Sequence, residues 1–510
     1  MTPIVRGAGL QASLVELDCD TVVVGSGAGG AVVACTLAEA GERVIVLEEG
    51  PFVPASAHGA MRPTESIRHV WRGAALTVAY GLGDTPSINV TMGRGVGGSS
   101  AITGGVCFRV PDAVLRVWRE ERGLVELTDE ALEPCYRDVE EAVHVEEVPS
   151  SMRSRSAELF AEGGRARGME MRPIRRNTRD CNGCGRCNFG CPHGAKLSVD
   201  LTYLPRAQVA GAVIHSDFLT DAVVMKGDRA VGVRGRVLNG RHGRPGTPFT
   251  VRARRVVLAA GAAYTPLLLR SSGVLGVSGQ VGRNVTVHPA FRMIARFRER
   301  VDGWKGALQP VFTDTLEHER ITMMGLFIPP GTLAATMPGI GPDLVRRARD
   351  VPHLAIFGGI IHDEGGGRVY PGLGREPILT YRMAREDRAL VPRVIREMGE
   401  IFLAAGAVEL FPPVLGAPGM DADAFRRFPF EDVPGPRLEC SSQHPLGSCR
   451  MGVSPEHSVV DSHGKVWDTR GLYVADGSVV PTSLGVNPQL AIMTLATRIA
   501  WRMREALPAV

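Results

Sequence analysis

The chain has 510 residues, 44% of them hydrophobic and 22% charged, with a net charge of +4. That balance is ordinary for a globular protein and excludes a disordered or fibrous class, while so small a charge gives no reason to expect nucleic acid or an anionic membrane as partner. The length suffices for two or three domains. The N-terminus lacks a basic segment followed by an apolar one, and no later run is apolar over the length a bilayer requires. A cytoplasmic protein without a transmembrane segment is expected.

In chain order, Asp20 to Gly50 comes first: DTVVVGSGAGGAVVACTLAEAGERVIVLEEG. Thr21 to Val24 is an apolar β-branched run, Gly25, Gly27 and Gly30 spell GxGxxG, Ala31 to Ala40 has helical spacing, and Val44 to Leu47 is a second strand ending at Glu48. This is the βαβ pattern that binds a dinucleotide. Gly25 permits the tight turn, Gly27 lets backbone approach a pyrophosphate, Gly30 lets helix pack on strand, and the free N–H groups of the helix start hold the anion. Glu48 stands where a carboxylate accepts ribose hydroxyls. The pattern alone leaves NAD and FAD open.

Gly93 to Gly105 (GRGVGGSSAITGG) is a second run of small residues, suited to close backbone contact with a ligand. From Ala113 to Val148 the pattern is helical. An arginine-rich stretch from Arg153 to Arg179 reads as a solvated face, with docking of an acidic electron acceptor as the lesser reading. Strand alternation is expected from Ala212 to Val237 with a turn at Lys226 to Asp228, and Val251 to Leu269 reads as strand, glycine turn and helix start. Residues 291–435 are read as a sheet-bearing substrate domain, with alternating segments at His353 to His362 and Ile378 to Met383. Pro488 to Leu507 closes the chain as an amphipathic helix. No GxSxG elbow exists, and Ser26 lies inside the phosphate-binding turn, so hydrolase chemistry is set aside.

Cys181, Cys184, Cys187 and Cys191 lie in CNGCGRCNFGCP, the CxxCxxCxxxCP spacing of bacterial ferredoxins. In a chain with no export signal such crowding favours metal or redox chemistry over a disulfide framework. A [3Fe–4S] or [4Fe–4S] iron–sulfur cluster is one reading. Structural zinc, disulfides and free thiols stay open beside it.

Four separated blocks resemble the glucose–methanol–choline (GMC) family of FAD-dependent oxidoreductases, in its cholesterol-oxidase-like and long-chain-alcohol-oxidase-like branch. They are the N-terminal glycine motif, GRGVGGSSAI at 93–102, LAAGAAYTPLLLRSSGV at 258–274, and HPLGSCRMG with YVADGSVVPTSLGVNPQLAIMTLA at the C-terminal end. The resemblance implies an α/β fold: an FAD-binding βαβ domain assembled from both chain ends, 16–290 and 436–510, and an antiparallel-sheet substrate domain at 291–435. It implies that Gly25, Gly27, Ala28, Gly29, Gly30, Glu48, Glu49, Arg94, Gly97, Gly98, Ser99, Ser100, Ala260, Gly261, Asp476, Gly477, Asn487 and Pro488 hold FAD. One departure is Thr103, where many members carry Asn or His.

Oxidising an alcohol removes a proton from oxygen and a hydride from carbon, which flavin N5 accepts. The resemblance implies His444 as the base and Asn487 as the amide that orients the oxygen. His288, in VGRNVTVHP, reads as structural or cofactor-adjacent. The expected partners are a bulky or apolar alcohol and an electron acceptor, either O2 or a redox protein or quinone. The rival readings are an acceptor-dependent dehydrogenase relaying electrons through an iron–sulfur cluster, and a flavin and iron–sulfur electron carrier with no small-molecule substrate.

Overall fold

A computed structural model describes residues 4–507 apart from 9, 11, 240–243, 277 and 278. The strand Val15–Val24, the helix Ala28–Glu39 and the strand Val44–Glu48 form the expected βαβ unit. They belong to a sheet ordered Val5–Arg6, Val213–Ser216, Val44–Glu48, Val15–Val24, Arg244–Leu258, Arg229–Asn239 and Phe218–Lys226, with Leu472–Val474 also paired to Arg244–Leu258. The central pairings are parallel and the last two are antiparallel hairpin pairings. Val22, Val23, Val46, Val256, Val257 and Leu258 have no exposed surface, as apolar runs covered on both faces of a parallel sheet should be.

Register explains where a ligand must sit. Val24 pairs with Leu47 and with Leu258, and Leu258 pairs with Val474, so four strands end together at one edge. The next residues are Gly25, Glu48, Ala259 and Ala475, brought from three distant parts of the chain to the carboxyl ends of parallel strands, where open α/β sheets bind ligands. The C-terminal helix Gln489–Glu505 packs against Ala28–Glu39. Both chain ends therefore build this layer.

The second sheet runs Gly366–Pro371, Pro377–Arg382, Val78–Gly81, Ile88–Val90, Cys440–Ser442, Ala290–Arg296, Leu354–Ile361, Ile321–Gly325, Val311–Thr313 and Arg172–Pro173, with Glu409–Phe411 also on Ala290–Arg296. It is mixed and not antiparallel throughout: Val78–Gly81 runs parallel to Pro377–Arg382, and Cys440–Ser442 parallel to Ile88–Val90. The reason is connectivity, since these strands come from well separated parts of the chain and not from consecutive hairpins. The helix Arg385–Ala404 covers this sheet through buried Val391, Val394, Ile395, Met398, Ile401 and Phe402. Among the described residues, no helix is long and apolar enough to cross a membrane.

Candidate active site

A cavity of about 830 Å³ runs between the two sheets. Its walls include Gly25, Gly27, Ala28, Gly29, Glu48, Glu49, Gly98, Ser99, Ser100, Ala260, Gly261, Asp476, Gly477, Asn487 and Pro488, together with His444. The structure thus gathers most of the sequence-derived site residues around one space. Gly30, Arg94 and Gly97 are not part of that wall.

The glycines of the first turn divide by what a side chain would meet. A Cβ on Gly25 would run into the Ala259 carbonyl, on Gly29 into the Ala475 carbonyl and on Gly30 into the Gly25 carbonyl. At Gly27 the nearest atom is Gly98 Cα at 3.8 Å, so a side chain there would project into space the cavity needs. Gly25 also has a left-handed φ of 103°. The helix that follows has Gly27 at its N-cap with no side-chain cap, which leaves its first N–H groups turned to the cavity. An uncapped helix start, bare glycine walls and a narrow gap between Gly27 and Gly98 fit a dinucleotide's pyrophosphate.

The carboxylates are held by backbone. Glu48 accepts from Ser26 N–H at 3.1 Å, Ser26 Oγ at 2.7 Å and Gly50 N–H at 2.8 Å, and burial still raises it above the usual carboxylate range. Gly97 N–H donates to Ser26 Oγ at 3.1 Å, which ties the second glycine loop to the first. Asp476 accepts from Gly261 N–H at 2.8 Å, Thr265 Oγ1 at 2.5 Å and Ser478 N–H at 2.7 Å, and burial raises it too. Glu49 takes hydrogen bonds from Arg72 at 2.7 Å and Arg94 at 3.1 Å, and Arg72 lies over the Tyr264 ring at 4.1 Å. Arg72 and Tyr264 line the cavity too; Tyr264 lies in the 258–274 block but was not singled out there, and nothing in local spacing marked Arg72.

At the other end, His444 Nε2 lies 3.1 Å from Asn487 Nδ2, and His444 Nδ1 lies 3.2 Å from His288 Nδ1. The His444 N–H donates to Ser442 Oγ at 3.0 Å, which fixes the backbone beneath the ring. Burial, then His288, pulls the His444 imidazole well below its ordinary range. Burial, then His362, takes His288 down to about 3. The cavity is also lined by apolar Phe291, Leu308, Met324, Leu326, Phe327, Ile328, Ile356 and Ile360, with polar Arg292 and Gln309 from the same segments. Thr103 also lines it and donates to Gln489 Oε1 at 2.8 Å, so the residue departing from the family pattern is engaged within the site.

Among the described residues, no three His, Cys, Asp or Glu side chains gather where they could hold a metal ion. Gly183, Gly185 and Gly190 turn the chain through left-handed φ values, and the thiols take separate partners. Cys187 Sγ is buried and accepts from Arg176 at 3.0 Å, while Cys191 Sγ accepts from Lys196 N–H at 3.5 Å. Burial works against a Cys187 thiolate, but Arg176 and then Lys196 outweigh it and lower that thiol's range. The residues as they stand do not fit an iron–sulfur cluster, and Cys181, Cys184, Cys187 and Cys191 are absent from the cavity wall. The preceding arginine tract is a solvated face only in part. Arg155, Arg167, Arg172 and Arg175 pair with Glu162 and Glu299, Glu397, Asp314 and Glu140, and Arg176 is buried.

Comparison with known proteins agrees with this architecture. The N-terminal and C-terminal patterns of the family described as GMC oxidoreductase match residues 2–290 and 374–496. An "Uncharacterized GMC-type oxidoreductase" of Mycobacterium tuberculosis is 37% identical over 489 residues, covering 94% of this chain and 75% of that one. A "Long-chain-alcohol oxidase" of Arabidopsis thaliana is 29% identical over 525 residues, covering 96% of this chain and 68% of its own. The crystal structure of pyridoxine 4-oxidase from "Mesorbium loti" superposes with a TM-score of 0.71 at 19% identity, covering 96% of this chain and 100% of that one, a likeness of fold. This chain belongs to the GMC family of FAD-dependent oxidoreductases.

Proposed function

We propose that the protein oxidises the carbinol of a bulky, apolar alcohol, with His444 and Asn487 at the carbinol oxygen and O2 as the final electron acceptor. The observation that carries this reading is the pairing of His444 and Asn487, 3.1 Å apart, on a cavity also lined by aliphatic and aromatic side chains. A carbinol would lie with its oxygen beside the imidazole and amide and its hydrocarbon against apolar lining such as Phe291, Phe327 and Ile360. Removing that hydrocarbon from water contributes about 25 cal/mol per Å² of buried apolar surface, so longer substrates gain binding without any new polar contact. The long-chain-alcohol oxidase among the relatives supports the same substrate class.

FAD, when bound, supplies the two-electron acceptor for the carbinol hydrogen. Gly27, the start of the helix Ala28–Glu39, and Gly98 would hold its pyrophosphate; Glu48 would hold its ribose. Asp476 holds Gly261 and Thr265 in place along the same wall. His444 and Asn487 orient the oxygen and stabilise charge developing on it, an effect commonly worth about 3–4 kcal/mol per well-placed donor. The apolar wall keeps water from the reacting carbon.

The test is a homologous series of primary alcohols, with peroxide and carbonyl product measured together. The reading predicts equimolar peroxide and carbonyl, with kcat/KM rising along the series. Absence of turnover with every alcohol, or a preference for polyols over apolar chains, contradicts it.

A further inference from the structure

Leu484 N–H donates to His288 Nε2 at 2.9 Å, so that ring nitrogen carries a lone pair. His288 is fully enclosed and neutral, and its one proton is therefore on Nδ1. Nδ1 faces His444 Nδ1 at 3.2 Å, which must receive the proton as a lone pair. His444, also neutral, then carries its own proton on Nε2. Nε2 points at Asn487 at 3.1 Å, where an amide nitrogen would set donor against donor. The Asn487 oxygen meanwhile is buried with no hydrogen-bond partner. Exchanging the oxygen and nitrogen of that amide resolves the donor–donor conflict, because Oδ1 then accepts from His444 Nε2–H, and Nδ2 takes the buried position.

The start of this chain is firmly anchored. Asp363 is buried and accepts from His288 N–H at 3.1 Å, from Ser483 Oγ at 2.7 Å and from the Tyr381 hydroxyl, so it clamps the loop carrying His288 to the loop carrying Leu484. His288 also holds a left-handed φ of 49°, an unusual conformation for a residue other than glycine. The reverse proton order would require His288 Nε2–H to face Leu484 N–H inside this clamp. No acceptor lies between them.

We propose that His288 is a positioning residue that fixes His444 as its Nε2–H tautomer, whose proton, paired with Asn487 Oδ1 until an alcohol oxygen takes its place, is donated to that oxygen. The tautomer follows from hydrogen-bond order alone; only the contact with alcohol rests on the proposed function. An imidazole expected to take the carbinol proton at Nε2 already carries one there. The role left to His444 is to hold the oxygen while the carbinol proton passes to water and the hydride to the flavin, the two leaving together as peroxide once O2 takes the electrons.

The experiment is nitrogen NMR of the holoenzyme labelled with 15N-histidine, with the His444 signals assigned by their loss in His444→Gln. The expected spectrum has a protonated Nε2 and an unprotonated Nδ1 on His444. In His288→Phe, where flavin content and Tm report the fold, His444 is expected to become a mixture of tautomers. A His444 protonated at Nδ1 in the wild type overturns the proposal, and does so whether or not the Phe variant folds. Turnover gives an independent arm. His444→Gln, which donates but cannot take a proton, should retain roughly tenfold or more of the activity left in His444→Ala, and equal loss in both overturns the donor role. If no alcohol reduces the flavin while the NMR result holds, the substrate reading fails and the tautomer assignment stands.

Discussion

A buried imidazole acts first through hydrogen bonds and only secondly through titration. Burial lowers His444 and His288 below the value of about 6.5 that histidine has in an unfolded chain. Between the folded and unfolded values the unfolded chain binds more protons, so stability falls as pH drops below about 6.5, by up to about 1.4 kcal/mol per pH unit for each group. Denaturant unfolding at pH 7 and pH 5 should therefore show a smaller acid loss in His288→Asn than in the wild type; an unchanged difference contradicts the buried neutral state. His444 and Asn487 were legible in the sequence because HPLG and GVNP are short motifs within recognisable blocks. His288 stood in an equally readable loop, yet its role depends on the Leu484 N–H, 196 positions away. No local pattern encodes that meeting.

At the scale of elements, the GxGxxG turn separates packing from ligand approach. Gly27→Ala places its methyl in the cavity 3.8 Å from Gly98 Cα, whereas Gly29→Ala drives one into the Ala475 carbonyl. The first variant is expected to keep its Tm measured without flavin while its flavin-to-protein ratio falls. The second should lose roughly 1–3 kcal/mol of stability as well, the usual cost of overpacking. The βαβ unit was readable because strand, turn, helix and strand follow in sequence with consistent chemistry. The helix Arg385–Ala404 was not anticipated, although Val391, Val394, Ile395, Met398, Ile401 and Phe402 recur at helical spacing. Pro392 inside it obscured the signal. The cysteine run was less decisive: its spacing left a cluster, zinc, disulfides and free thiols open, and the three-dimensional path of the glycine turns brings Cys187 to Arg176 and Cys191 to the Lys196 backbone. With the thiols so placed, iron and acid-labile sulfide analysis of anaerobically purified protein should find no stoichiometric cluster; stoichiometric iron with sulfide would contradict that geometry.

For the whole molecule, the site exists only because distant segments close on one sheet edge. Leu472–Val474 completes the parallel sheet, Asp476 holds Gly261 and Thr265, and Gln489–Glu505 packs on the helix that begins at Gly27. A chain ending at residue 435 is expected to lose FAD binding together with cooperative unfolding, as measured by flavin fluorescence and calorimetry; retention of both would show that the C-terminal part is dispensable. The two-ended assembly was legible because cofactor motifs bracket the sequence. The composition of the second sheet was not, since Val78–Gly81, Ile88–Val90, Arg172–Pro173 and Cys440–Ser442 are too short to announce partners hundreds of residues away.

The central claim, that His444 acts on an alcohol oxygen in this cavity, is tested most directly by anaerobic mixing of the flavin-loaded protein with a long-chain alcohol. In the wild type the flavin absorbance should bleach, and in His444→Ala, with flavin content unchanged, the bleaching rate should fall by roughly 100-fold or more. Equal rates in the two proteins would contradict the account.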